Sequence, residues 1–206
     1  PAMTKEPSEH NADYRSALIA DDTKPIVFKA FSVGALELWK GFSEAIKALS
    51  NASNKLNIRI EYTLIGSGSQ QEDLVLLASQ LRSDLFEVFF LGRLTNPYAY
   101  VKSVETQIIP SLEEGFGLVA IEGIYFGKRI LFNRIPALIE VCQNDPLCWE
   151  YDREEALINR ISLLVSGASP IAEKNIFKKR KKSIELCYGY DRFKKEINNT
   201  LSLNRR

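Results

Sequence analysis

The chain has 206 residues and a single histidine, His10, which sits in a polar stretch without apolar period. That scarcity argues against a Ser-His-Asp triad, a Cys-His pair or a His-ligated zinc in a folded domain. Three cysteines, Cys142, Cys148 and Cys187, make neither a C-x-x-C pair nor an even set, so a disulfide scaffold is excluded and a reducing compartment fits best. No apolar run reaches membrane-spanning length, and the first 25 residues lack a secretory apolar stretch. The only methionine, Met3, follows Pro1-Ala2. That order reads as a vector-derived scar, so the expectation is a piece of a longer protein. With 27 basic and 26 acidic residues the net charge is +1, which gives no reason to expect nucleic acid as a partner.

Ordinary globular content fills the rest, with 45% apolar and 26% charged residues. Residues 1–24 are polar, without period, and read as a linker. From Pro25 onward, short β-rich runs alternate with segments of helical period. The strand candidates are Ile26–Phe31, Ile58–Ile65, Glu87–Leu91, Thr106–Ile109, Arg129–Phe132 and a weaker Leu147–Glu150. Between them, Phe42, Ala45, Ile46 and Leu49 follow the i, i+3, i+4, i+7 pattern, as do Leu74, Leu77, Ala78 and Leu81. Further helices are expected from about Gly117 and over Glu154–Val165. The alternation predicts an α/β fold, an open parallel Rossmann-like sheet with helices on both faces, over residues 25–170. Residues 171–206 carry eleven Lys/Arg against four Asp/Glu, a net +7, leaving −6 for the first 170 residues. They read as two helices, one holding Lys178–Lys182 and one around Tyr190–Leu201.

Open parallel sheets bind ligands at the carboxyl ends of their strands, where helix N-termini favour phosphate. The loops after the strands therefore carry the chemistry. Gly34 and Lys40 follow the first strand, Gly66-Ser67-Gly68 the second, Gly92-Arg93-Leu94 the third, and Pro110–Leu118 the fourth. Singly, each has an ordinary reading: a tight turn, a solvated lysine, or an acid capping a helix. Glu122 stands apart, because Leu118, Ala120, Ile121, Ile124 and Tyr125 make its helix otherwise apolar. A carboxylate there costs stability unless it has a partner or lies on the outer edge.

Taken together these loops carry a resemblance. Pro110-Ser-Leu-Glu-Glu-Gly-Phe-Gly-Leu-Val-Ala-Ile-Glu122 resembles the E-x7-E signature of the retaining, glycogen-synthase-like family 4 glycosyltransferases. Val33-Gly-Ala-Leu-Glu-Leu-Trp-Lys-Gly41 is similar to that family's V-G-R-L-x-x-x-K-G. Leu64–Gly68, Phe90–Gly92 and Pro136–Val141 resemble its L-x-I-G-x-G, F-L-G and P-x-x-x-E-V. Residues 25–165 are covered in order, and the wording is most like bacterial surface-polysaccharide transferases.

The resemblance implies the donor-binding half of a GT-B fold, acting on a nucleotide sugar, most simply a UDP-sugar, with no metal and no cofactor. An N-terminal acceptor domain would lie outside this chain, and the isolated fragment would be inactive. Glu114 and Lys40 would be the catalytic pair, Glu114 beside the donor sugar and Lys40 on the diphosphate. Glu122 would accept hydrogen bonds from the ribose. Gly115, Phe116, Gly117 and Leu118 would present backbone N–H groups, with Gly34 and Gly66 lining the nucleotide and Arg93 and Leu94 near the base. The family places an arginine where this chain has Ala35, so Lys40 acts alone or Arg93, Arg134 or the absent domain supplies the second charge. The implied acceptor is a growing lipid-linked glycan at the cytoplasmic face of a membrane. The basic tail, with Ile171, Ile176, Phe177, Ile184 and Leu186, would then lie on anionic lipid, stay solvated, or dock on the absent domain. A degenerate, non-catalytic nucleotide-binding or partner-recruiting module is the alternative. An NAD-binding domain is disfavoured, since Phe31–Gly41 offers only Gly34 and Gly41 where G-x-G-x-x-G is needed.

Overall fold

The computed structural model describes residues 26–167 and 176–189. The proposed linker at 1–24, the second tail helix around Tyr190–Leu201, and Ile171 lie outside them. Six parallel strands form one sheet: β1 (Val27–Val33), β2 (Arg59–Ile65), β3 (Phe86–Phe90), β4 (Thr106–Ile109), β5 (Arg129–Asn133) and β6 (Cys148–Tyr151). Their order is β3-β2-β1-β4-β5-β6, so the chain reverses its direction of travel across the sheet between β1 and β4. That is the doubly wound topology the alternation predicted.

The helices are α1 (Phe42–Leu56), α2 (Gln71–Leu81), the short α3 (Pro97–Tyr100), α4 (Leu118–Tyr125), α5 (Pro136–Cys142), α6 (Glu154–Val165) and α7 (Ile176–Tyr188). Phe42, Ala45, Ile46 and Leu49 of α1 bury one stripe against Ile60, Tyr62 and Leu64 of β2, with Leu74 of α2 and Leu157 and Ile161 of α6 in the same core. The opposite face packs Ala120 and Ile124 of α4 with Ile130 and Phe132 of β5 and Leu138 of α5. Each Leu, Ile or Phe among them contributes about 1.5–3 kcal/mol when fully buried. Because both faces of the central strands are covered, Ala30, Phe31 and Ser32 are consecutive buried residues, and all four residues of β4 are buried. A hydroxyl chain crosses the middle of the sheet: Ser32 donates to the Ile108 carbonyl and accepts from the Tyr62 hydroxyl at 2.6 Å.

The basic helix departs from its sequence pattern. Lys178, Lys179, Lys181 and Lys182 are exposed, but Arg180 is buried at the centre of the run. Its Nε donates to Asp145 Oδ2 at 2.7 Å and its Nη2 to the Lys128 carbonyl at 2.8 Å. Ile184 joins the α4–α5 core, and Lys181 lies 4.6 Å from the Tyr125 ring centre. Helix α7 therefore docks on this same domain, through α4, and Ile184 is not available to enter a lipid surface. The sequence expected solvent, lipid or another domain because nothing in a five-cation run marks one of them as paired.

Candidate functional site

At the carboxyl ends of β1, β2 and β3 lies a cavity of about 400 Å³, lined among others by Gly34, Ala35, Gly66, Ser67, Arg93 and Leu94. Its walls continue the sheet's hydrogen bonding beyond the strands: Gly34 N–H donates to Ile65 O at 3.0 Å, Leu36 to Ser67 O at 3.0 Å, and Gly66 to Gly92 O at 2.8 Å. The first two loops touch so closely that a Cβ on Gly66 would stand 1.8 Å from the Gly34 carbonyl oxygen. Only glycine fits there. Glu37 ties the same loops together, its carboxylate taking the Ser69 N–H at 3.0 Å and the Ser69 hydroxyl. Those bonds, the hydroxyl's first, hold the Glu37 carboxyl below the usual range.

Lys40 ends a 3₁₀ turn, Leu38–Lys40, and Gly41 turns the chain into α1 with φ +65°. A Cβ at Gly41 would lie 2.2 Å from the Pro110 carbonyl oxygen, so this glycine lets the β1 loop rest directly on the β4 loop. Leu112 and Glu113 donate their N–H groups to Trp39 O at 2.8 and 3.3 Å. That contact brings Lys40 Nζ to 2.6 Å from Glu114 Oε1, with side-chain exposures of 18% and 11%. The Ser111 hydroxyl donates to the same oxygen at 2.7 Å. The lysine stem runs beside Gly34, whose notional Cβ would be 3.9 Å from Lys40 Cδ. The ion pair and the cavity thus adjoin across Gly34.

Beyond Glu114 the loop opens. Gly115 has nothing within 4 Å of a notional Cβ, and Phe116 and Leu118 are exposed. Gly117, φ +74°, begins α4 with no side chain capping it. One and a half turns further on, Glu122 is exposed as a residue, yet burial pushes its carboxyl above the ordinary value while a hydrogen bond from Tyr98 opposes that rise.

The geometry therefore gathers Gly34, Gly66, Arg93 and Leu94 around one cavity and pairs Lys40 with Glu114 beside it. Gly115 to Leu118 lie on the lip that follows, and Glu122 sits further along α4, against Tyr98. Arg134 is elsewhere, 3.6 Å from Glu150. Of the alternatives for a second cation, only Arg93 shares the cavity with Ala35. Ser111, Gly41 and Tyr98 are the site residues that sequence reasoning did not single out. Gly41 and Ser111 stood inside the quoted motifs, but nothing local marked Tyr98.

Residues 12–184 match the sequence profile of the family described as Glycosyl transferases group 1. The chain belongs to this family. Among relatives, this group 1 glycosyl transferase domain is 29% identical over 153 residues to an uncharacterized glycosyltransferase of Methanocaldococcus jannaschii, covering 68% of this chain and 37% of that protein. It is 24% identical over 135 residues to the O-antigen biosynthesis glycosyltransferase WclY of Escherichia coli, covering 65% and 38%. The chain thus spans well under half the length of these relatives. Anabaena Alr3699/HepE, solved in complex with UDP, shares the fold with a TM-score of 0.71 at 19% identity, over 85% of this chain and 48% of that one. Among the described residues of the transferase domain, no helix is long and apolar enough to cross a membrane.

Proposed function

We propose that this domain binds the nucleotide-sugar donor of a retaining polysaccharide or lipopolysaccharide transferase, most simply a UDP-sugar. The observation that carries the reading is the Lys40–Glu114 pair at 2.6 Å, which joins the β1 and β4 loops at the reversal point of the sheet, beside a glycine-walled cavity. The UDP-bound neighbour and the O-antigen relative support the choice of donor and product class. In this reading the base and ribose occupy the cavity between Gly34, Gly66, Arg93 and Leu94, and the ribose hydroxyls donate to Glu122. The diphosphate lies against the N–H groups of Gly115, Phe116, Gly117 and Leu118. Lys40 leaves Glu114 to meet the charge that grows on the leaving oxygen, and Glu114 then accepts hydrogen bonds from the donor sugar. The bond from the anomeric carbon to phosphate breaks as the acceptor oxygen bonds on the same face, and the acceptor proton passes to the leaving phosphate. Arg93 supplies the second cation in place of the residue at Ala35, and no metal or cofactor is assigned.

An acceptor domain outside this chain completes the cleft, so the isolated domain binds donor without transferring it, at the cytoplasmic face of a membrane. The four exposed lysines of α7 give that domain a surface for anionic lipid, by charge alone. Ala35 in the cavity wall favours a second reading, a domain that binds nucleotide without catalysis; donor binding with no turnover in the two-domain protein would establish it. A thermal-shift panel tests the main reading: UDP and UDP-sugars raise the melting temperature and NAD does not. Stabilisation by NAD alone contradicts it.

A further inference from the structure

Tyr98 is buried, and its ring is clamped on one face of α4. The ring stacks on Phe126 at 4.5 Å between centroids and 15° between planes, and its hydroxyl lies 3.2 Å from the Val119 carbonyl oxygen. Val119, Glu122 and Phe126 stand at i, i+3 and i+7 on that helix, so the tyrosine lies along the face that carries Glu122. Gln107, fully buried on β4, completes the arrangement. Its Nε2 lies 3.3 Å from both the Tyr98 oxygen and Val119 O, and its two hydrogens can serve both. The Tyr98 hydroxyl donates to the Val119 carbonyl, and because Gln107 Nε2 can serve that carbonyl as well, the Tyr98 proton can turn to the Glu122 carboxylate one turn further along the helix, where a charged acceptor makes the stronger bond. The helix approaches Gln107 this closely because residue 123 is glycine: a Cβ there would lie 2.2 Å from Gln107 Oε1. The segment behind Tyr98 is also held. Lys128, buried, donates its ammonium to the carbonyls of Val101 and Val104 at 2.7 Å and of Lys102 at 3.2 Å. Its charge lies 5.6 Å from the Phe31 ring centre.

We propose that Tyr98, oriented by Gln107 and held by the Lys128 staple, is a positioning residue that fixes the Glu122 carboxylate for a ribose diol. The inference rests on the reading of Glu122 as the nucleotide ligand. Tyr98 does not touch the nucleotide; it removes the freedom Glu122 would otherwise lose on binding.

The experiment is a double-mutant cycle on this chain, with UDP affinity by calorimetry for the wild type, Tyr98→Phe, Glu122→Ala and the double variant. Tyr98→Phe is expected to weaken UDP by about threefold to tenfold, and the double variant to match Glu122→Ala within about twofold, as residues acting as a unit do. Tyr98→Phe binding like the wild type, or two losses that multiply, overturns the proposal. Glu122→Ala binding like the wild type overturns the reading of Glu122 itself, whatever Tyr98 does. Phe126→Ala keeps every buried hydrogen bond and carries the same cycle should Tyr98→Phe not fold. Its loss should appear only while Glu122 is present, and an equal loss without Glu122 marks general loosening and contradicts the inference.

Discussion

Lys40 and Glu114 are 74 residues apart in sequence and 2.6 Å apart in space, with the Ser111 hydroxyl on the same carboxylate oxygen. Lys40 is therefore neutralised within the protein, and under the proposed function a donor diphosphate would have to exchange with Glu114 for it. Glu114→Gln should leave UDP affinity unchanged or tighter, because Lys40 is released. In a two-domain protein the same change should lower turnover with the UDP-sugar by about tenfold or more, at least ~1.4 kcal/mol of transition-state stabilisation. Lys40→Ala should weaken UDP by about 1.5–3 kcal/mol, the range for hydrogen bonds to charged groups. Equal weakening of UDP and UDP-sugar by Glu114→Gln, with turnover intact, would reduce Glu114 to a structural brace.

Gly41 makes that pair possible. Its φ of +65° and the 2.2 Å that a Cβ would leave to Pro110 O leave no room for alanine. Gly41→Ala should cost at least about 1–2 kcal/mol from the left-handed backbone alone. The clash with Pro110 should move Lys40 off Glu114 and weaken UDP as well. Denaturant titration together with calorimetry checks both effects; a variant as stable as the wild type contradicts the packing described.

The Glu122 carboxyl is raised above its ordinary value of 4.5 by burial, against the opposing Tyr98 hydrogen bond. A carboxyl raised in this way holds its proton more tightly in the folded state. Its contribution to stability falls as pH climbs from the unfolded value through the folded one, and remains unfavourable above it. Glu122→Gln should therefore melt higher than the wild type at pH 7, with the gap closing as pH drops toward 4.5. A wild type that melts higher at pH 7 would contradict the desolvation of this side chain.

Helix α7 is anchored by Arg180 on Asp145, with side-chain exposures of 2% and 10%. Asp145→Ala should leave a buried guanidinium without its carboxylate and cost about 3–5 kcal/mol, measurable by denaturant unfolding. The lysines at 178, 179, 181 and 182 are exposed, Lys181 over the Tyr125 ring, and a lysine near an anionic surface is worth about 1 kcal/mol. Sedimentation with phosphatidylserine vesicles should accordingly be salt-sensitive and lost when the four become glutamine. Absence of binding at low salt removes the membrane role from this helix.

The strands and helices were legible because a parallel sheet buried on both faces demands short apolar runs, and an amphipathic crossover demands the helical period. Thr106–Ile109 and Glu154–Val165 match their expected bounds residue for residue. The glycine loops were legible too, since a 1.8 Å approach such as Gly66 to Gly34 admits no other residue. What depends on long-range contact was not. The motifs single out Lys40 and Glu114, but nothing local shows that they pair with each other until the β4 loop is laid on Gly41. Gln107 sits inside a four-residue strand, and Tyr98 in a four-residue helix, with no periodicity to mark them. Arg180 is indistinguishable from its four basic neighbours until Asp145 is placed beside it.

If the domain binds its donor as proposed, the diphosphate of the nucleotide sugar replaces Glu114 as the partner of Lys40. A crystal structure of this chain with UDP tests it most directly. The diphosphate should lie between Lys40 Nζ and the N–H groups of Gly115 to Leu118, with the ribose hydroxyls on Glu122 and the 2.6 Å Lys40–Glu114 contact opened. UDP bound away from Gly34 and Gly66, with Lys40 still on Glu114, would contradict it.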